Sequence, residues 1–197
     1  MGREAKISRK TKETNIAVTL RIDGAGNYAI ATGIPFLNHM LDLFAKHGLF
    51  DLTIEAEGDL EVDIHHTNED VGIALGEAFA KALAGKEGIR RFGSAIVPMD
   101  EALARVALDI SNRPSVYCEL PERLTSLKGE AYAYTDLMSF LKAFVAHAGI
   151  NLHIDIVKGD DLHHSFEAAF KGLAKALDMA TQIDPRSKGV PSTKGLL

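Results

Sequence analysis

Hydrophobic and polar positions alternate in two separate stretches that read as one pattern written twice. In ETNIAVTLRIDG, Ile16, Val18, Leu20 and Ile22 share a face; in EALARVALDISN, Ala104, Val106, Leu108 and Ile110 do the same. A period of two marks a half-buried strand. Each stretch runs into a turn signal, DGAGN and then SNRP, followed by a second short strand near Tyr28 and near Tyr117. The period then lengthens. Leu37, Leu41 and Phe44 after Pro35, and Leu137, Leu141 and Phe144 after Thr135 and Asp136, fall at helical spacing. FDLTIEAEG and INLHIDIVKG predict a further strand in each copy. HHTNEDVGIALGEAFAKAL and HHSFEAAFKGLAKAL predict a long closing helix.

The same order of elements twice predicts a tandem duplication of a ββαβα unit. The join falls near Gly88 to Gly93, giving a first half at 1–92 and a second at 93–197. The expected class is α+β, with two small mixed sheets and helices packed on one face of each; a single continuous sheet also fits the pattern. The ends, 1–12 and 184–197, are polar and punctuated by Gly and Pro, and read as arms rather than core.

Composition narrows the class. The 197 residues are 46% hydrophobic and 25% charged, as in ordinary globular chains. No apolar run approaches the roughly 20 residues of a membrane span, and the polar start lacks a signal-peptide core, so a cytoplasmic address is expected. A net charge of -5 argues against a general nucleic-acid binder. The single cysteine, Cys118, lies in an alternating stretch and reads as a small buried apolar residue.

The chemistry concentrates where each closing helix begins. His65-His66-x-x-Glu69 and His163-His164-x-x-Glu167 stand at matching places of the repeat. Each Glu lies one turn beyond its histidines, so it and one imidazole can face a common point. The adjacent imidazole must point elsewhere, so one cluster addresses two metals. Pooled, the clusters offer six ligands, and His39 on the preceding helix can add a seventh. This donor set suits Mn, Fe, Zn or Ni. Lys171, one turn past Glu167, with Arg91, Arg113 and the tail residues Ser192, Thr193 and Lys194, would together suit a phosphate. Glu13 and Glu101 open matching strands, where an acidic residue is ordinarily a solvent-facing charge.

Long ordered motifs carry a resemblance over nearly the whole chain: RKTKETNI at 9–16, PFLNHML at 35–41, DIHHTNED at 63–70, GIRRFG at 88–93, MDEA at 99–102, SNRP at 111–114, LHHSFEAAFK at 162–171 and PSTKG at 191–195. The chain closely resembles imidazoleglycerol-phosphate dehydratase of histidine biosynthesis, in its monofunctional form. That resemblance implies two Mn(II) ions per active site. One would take His39, His66, His163 and Glu167, and the other His65, Glu69 and His164. Where many members have a further histidine for the second ion this chain has Ser139, the position matching His39 in the repeat. The resemblance also implies a catalytic role for Glu13 and phosphate contacts from Arg91, Arg113, Lys171, Ser192 and Lys194. It further implies a hollow homo-oligomer of twenty-four subunits with active sites between chains.

The implied reaction removes water from D-erythro-imidazole glycerol phosphate to give imidazole acetol phosphate. Hydroxide leaves poorly and the neighbouring C–H is not acidic. Two Lewis acids, one on each ring nitrogen, would favour an imidazolate that expels the hydroxyl, and a carboxylate would then take the adjacent proton. Two other functions use similar residues. A two-metal phosphate-ester hydrolase would release phosphate, and a metal-binding scaffold would show no turnover.

Overall fold

A computed structural model describes residues 2–125 and 132–197. The first half comprises β1 (Glu4–Lys10), β2 (Thr14–Arg21), β3 (Tyr28–Ala31), α1 (Pro35–Gly48), β4 (Asp51–Gly58) and α2 (His65–Leu83). The second comprises β5 (Phe92–Met99), β6 (Ala102–Asp109), β7 (Ser115–Glu119), the single turn α3 (Glu122–Thr125), α4 (Tyr134–Ala148), β8 (Asn151–Lys158) and α5 (Leu162–Thr181). The class is α+β with two separate four-stranded mixed sheets, ordered β1-β2-β4-β3 and β5-β6-β8-β7. In each, the last pair is parallel and the others antiparallel. Two sheets form, not one continuous sheet.

Each unit carries one strand more than its hydrophobic pattern reveals. The segment expected as an N-terminal arm is the edge strand β1, paired with β2 from Glu4↔Arg21 to Lys10↔Asn15. Only Ala5 of it is buried, and an edge strand needs no apolar stripe; its charges help keep the edge from pairing with another chain. In β5, Gly93 and Pro98 hide the period. Gly93 is required there, because a Cβ would strike the Ala176 carbonyl of α5. The C-terminal stretch from Asp184 has neither helix nor strand, as expected of an arm. It is tied down by Gly88 N–H donating to the Gly189 carbonyl, 2.8 Å, and by Asn112 Nδ2 donating to the Leu197 carbonyl, 2.8 Å.

The helices lie between the sheets and cross from one half to the other. α2 packs on β1 and β2 and crosses α4, while α5 packs on β5 and β6 and crosses α1. Small residues let α2 and α4 approach: a Cβ on Gly72 would come 2.8 Å from the Phe140 carbonyl oxygen, and one on Gly76 2.6 Å from that of Phe144. Asn68 fastens the same crossing, donating to the Asp136 carbonyl at 2.8 Å and accepting from the Tyr132 hydroxyl at 2.8 Å. Phe44, Phe79 and Phe144, all fully buried, meet edge to face where α1, α2 and α4 converge; truncating such a ring to Ala costs about 3–5 kcal/mol. Cys118 is buried and free, and burial pushes its thiol up to about 12. Among the described residues no helix is long and apolar enough to cross a membrane.

Candidate active site

The two helix crossings hold three of the clustered histidines, His39, His163 and His65. His39 on α1 meets His163 and Glu167 on α5: His39 Nε2 lies 2.8 Å and His163 Nε2 3.1 Å from the same oxygen, Glu167 Oε1. Phe36 packs edge-on against His163 at 5.2 Å. Glu167 is buried and its second oxygen accepts from Lys171 Nζ at 2.7 Å. Burial alone would raise its carboxyl, but the hydrogen bonds from Lys171, His39 and His163 outweigh that and hold it at about 2. Glu167 is therefore an anion at any physiological pH. One donor atom from each of His39, His163 and Glu167 lies within 4.8 Å of the others, a spacing and donor chemistry that fit a divalent transition metal.

The other crossing is the same arrangement with fewer donors. His65 Nε2 is 3.2 Å from Glu69 Oε2 at the start of α2. From α4, Tyr134, Thr135, Met138, Ser139 and Lys142 line the cleft beside His65. Ser139 occupies the place His39 has in the first crossing: each stands ten residues before the left-handed residue that closes its helix, Leu49 for α1 and Gly149 for α4.

His66 and His164 belong to neither crossing. His66 Nδ1 is 3.0 Å from Asp59 Oδ2, with Glu13 Oε2 at 3.8 Å. His164 Nδ1 is 2.8 Å from Glu101 Oε2, with Asp100 Oδ2 3.8 Å from its Nε2. These carboxylates raise both imidazoles above their ordinary value, the hydrogen bond being the main cause in each. Carboxylates also hold the backbone where the two helices begin. The Asp161 side chain caps α5 by accepting from His164 N–H at 2.9 Å, and Asp63 accepts from His65 N–H at 2.7 Å. The four-ligand set expected for the first metal is thus not gathered in one chain: His39, His163 and Glu167 converge, and His66 stands apart beside Asp59.

Glu13 sits in the β1–β2 turn, its side chain 56% exposed, in a cleft with Lys12, Asn15 and Asp59. The turn is pinned to α2 immediately beyond the first cluster. Asp70 accepts from Arg9 Nε at 2.8 Å and from the Thr14 hydroxyl. An acidic residue in the HHTNED run thereby fixes where Glu13 stands.

The expected phosphate residues divide into two groups. Lys171 is beside Glu167. Arg91 is paired bidentately with Asp109, at 2.6 and 2.9 Å, and donates to the Pro191 carbonyl at 2.9 Å, which draws the tail bearing Ser192, Thr193 and Lys194 to this end of the molecule. Arg113 is mostly exposed, 3.8 Å from Asp109. The Arg91 N–H donates to the Ala180 carbonyl at 2.9 Å, thirteen residues beyond Glu167 on α5. At ~1.5 Å per residue the two groups are separated by roughly 20 Å within one chain.

Sequence reasoning missed Asp59 and Glu101 as partners of the histidines. Glu101 had a signal, the equivalence of its turn with that of Glu13; Asp59, following Gly58 in a polar loop, had none.

Comparison with known proteins agrees with this geometry. The family model for imidazoleglycerol-phosphate dehydratase matches residues 32–177. The imidazoleglycerol-phosphate dehydratase of Thermoanaerobacter pseudethanolicus is 56% identical, covering 99% of this chain and 100% of that one, and that of Pelobacter propionicus is 54% identical over the full length of both. Among solved structures, that of the Pyrococcus furiosus enzyme in complex with (S)-C348 superposes with a TM-score of 0.83 at 39% identity, covering 97% of this chain and all of the other. The Staphylococcus aureus enzyme superposes with a TM-score of 0.79 at 35% identity, covering 92% and 99%. A family model that matches residues 32–177 and relatives more than half identical over essentially the full length lead to one conclusion: the chain belongs to the imidazoleglycerol-phosphate dehydratase family.

Proposed function

We propose that this hydro-lyase of histidine biosynthesis converts D-erythro-imidazole glycerol phosphate to imidazole acetol phosphate at sites shared between copies of the chain, each site holding two Mn(II) ions. The observation that carries this reading is the convergence of His39, His163 and Glu167 across the two halves. These three would hold one ion together with His66 of a neighbouring copy; His65 and Glu69 would hold the other together with His164 of a neighbouring copy. When bound, the ions would supply Lewis acidity to the imidazole ring of the substrate.

The chain's own residues do the rest. Glu13 takes the proton from the carbon adjacent to the one bearing the leaving hydroxyl, which departs as water, and the enol left behind relaxes to the ketone. Its exposure and its position beside His66 suit a base that meets substrate from outside the chain. Arg91, Arg113, Ser192, Thr193 and Lys194 grip the phosphate, and Lys171 joins them from beside Glu167. The separation of roughly 20 Å along α5 between the Arg91 group and Glu167 favours composite sites. In this reading neighbouring copies bring both ends to one small substrate. A homo-oligomer follows, of twenty-four subunits in this reading.

The test is to incubate the full chain with substrate and follow both products. Ketone should form without release of inorganic phosphate, stop on chelation and return with Mn(II), at two ions per chain by elemental analysis. Phosphate release in place of ketone would establish a phosphate-ester hydrolase instead.

A further inference from the structure

Two of the five clustered imidazoles turn away from the carboxylates of their own helices. His66 presents Nδ1 to Asp59 at 3.0 Å, and His164 presents Nδ1 to Glu101 at 2.8 Å. The other three, His39, His65 and His163, face Glu167 or Glu69 with Nε2. A neutral ring whose hydrogen sits on Nδ1 has its lone pair on Nε2. In that tautomer both outward rings would direct the Nε2 lone pair away from the residue that anchors them.

The anchors come from different places in the repeat. Glu101 lies in the β5–β6 turn, where the first half has Glu13. Asp59 follows β4, in the loop that leads to α2. Duplication alone would supply one residue type at one place twice. Here two unlike carboxylates, from different places in the repeat, reach the same ring nitrogen. The other oxygen of Asp59, Oδ1, is buried with no hydrogen-bond partner among the described residues. An unpaired buried carboxylate oxygen is destabilising and calls for a compensating role. Glu101 is further steadied by the Asp160 N–H at 3.4 Å. Of the other acidic neighbours, Glu13 and Asp100 stand at 3.8 Å, beyond hydrogen-bond reach, and Asp63 and Asp161 act on the His66 and His164 rings through charge alone.

We infer that Asp59 and Glu101 are positioning residues, holding His66 and His164 in the Nδ1–H tautomer so that each Nε2 serves a metal ion held by another copy of the chain. This rests on the ligand sets proposed above. The division of labour explains a difference between the two turns. In the second half the turn glutamate is occupied by orienting His164; in the first, Asp59 takes that task and Glu13 stays free to meet substrate.

The experiment is a titration of the metal-stripped full chain with Mn(II) alone, free ion being followed by its paramagnetic resonance. The unaltered protein should bind two ions per chain. Partners that orient a ligating histidine are typically worth 10–100-fold in metal affinity. Glu101→Ala should therefore weaken one ion by about that factor and spare the other, whereas Asp59→Ala should weaken the ion that Glu101→Ala spares. Glu101→Gln, which keeps an acceptor for Nδ1–H, should fall between the unaltered protein and Glu101→Ala. The ion left at full affinity in each variant reports an intact fold. If both alanine variants bind both ions as the unaltered protein does, or if each weakens both ions equally, the inference is overturned while the ligand sets stand. If the unaltered protein binds fewer than two ions, the ligand sets fail and the inference with them.

Discussion

The crossing of α1 over α5 and the crossing of α4 over α2 are one structure built twice, and they differ where the chemistry is. Both bring a helix of one half against an HHxxE helix of the other, and both place one residue ten positions before a left-handed helix end. At the first crossing that residue is His39, the carboxylate Glu167 is buried, and Lys171 neutralises it at 2.7 Å. At the second it is Ser139; Glu69 is about half exposed, and Ile73 stands where Lys171 would be. Duplication therefore fixes where donors can gather, while single positions decide how many do. The turns diverge in the same way. Asp70, Arg9 and Thr14 fix the turn of Glu13 with polar contacts, whereas the corresponding positions of the second half are Ala168, Val97 and Ala102.

The largest effect should come from breaking the turn comparison on its catalytic side. Glu13→Gln removes the proposed base and leaves every expected metal donor in place. A positioned base contributes about 10²–10⁴-fold, so kcat should fall by that order with two Mn(II) retained per chain. Glu101→Gln should act mainly through metal affinity, and excess Mn(II) should restore much of its turnover. Near-normal kcat in metal-replete Glu13→Gln would make the two turns equivalent and remove Glu13 from the mechanism.

Next is the crossing comparison itself. With Ser139 in place of an imidazole, the ion at His65 and Glu69 should be the weaker of the two. A chelator should release the ions in two steps, and Ser139→His should draw the steps together by roughly 10–100-fold in the affinity of the weaker one, the range seen when even a supporting partner of a metal ligand is changed. A single release step in the unaltered protein, unmoved by Ser139→His, would mean that another group already completes that site; Lys142 and Tyr134 line the same cleft.

A comparable effect is expected at the far end of α5. Lys194 lies on the tail that Arg91 draws in through the Pro191 carbonyl. A hydrogen bond to a charged group is worth about 1.5–3 kcal/mol, so Lys194→Ala should raise KM by roughly 10- to 150-fold with kcat little changed. Steady-state kinetics in which KM is unaltered would exclude this lysine as a phosphate contact.

Most of the architecture was legible because the strands and helices bury regular stripes; the parts that were not legible lack them. β1 offers only Ala5 to the core and β5 is interrupted by Gly93 and Pro98, so neither shows a period. The His and Glu residues of the site stood out by repetition: His65 meets Glu69 and His163 meets Glu167 one turn apart, as helical geometry allows, and the crossing of α1 over α5 adds His39 to Glu167, as the family resemblance implied. The donors of the two clusters do not all converge within the chain, since His66 and His164 are turned aside by carboxylates of a loop and a turn, Asp59 and Glu101. Periodicity reports which face of an element is buried. It carries no information on which loop carboxylate reaches a ring nitrogen, because that depends on how the sheet and helix ends meet.

The smallest predicted effect separates the two crossings without any metal. Glu167 is held at about 2 by Lys171, His39 and His163 against the opposing pull of burial, whereas its ordinary value is 4.5. A carboxyl with a lowered folded-state pKa stabilises the fold fully above its unfolded value, and the contribution drains away as pH falls from there through the folded value. The window is therefore pH 4.5 down to about 2. Other acidic groups, including Asp23 and Asp51, are lowered by partners of their own and contribute to the same limb, so the measurement must be a difference. Denaturation midpoints of the metal-free chain should fall with pH across this window, and Glu167→Gln should flatten that part of the profile. Glu69→Gln should change it less, because an exposed pair with His65 contributes little. Superimposable profiles for the unaltered chain and Glu167→Gln would mean that the buried anion is not stabilised by its cations, and the two crossings would then be electrostatically alike.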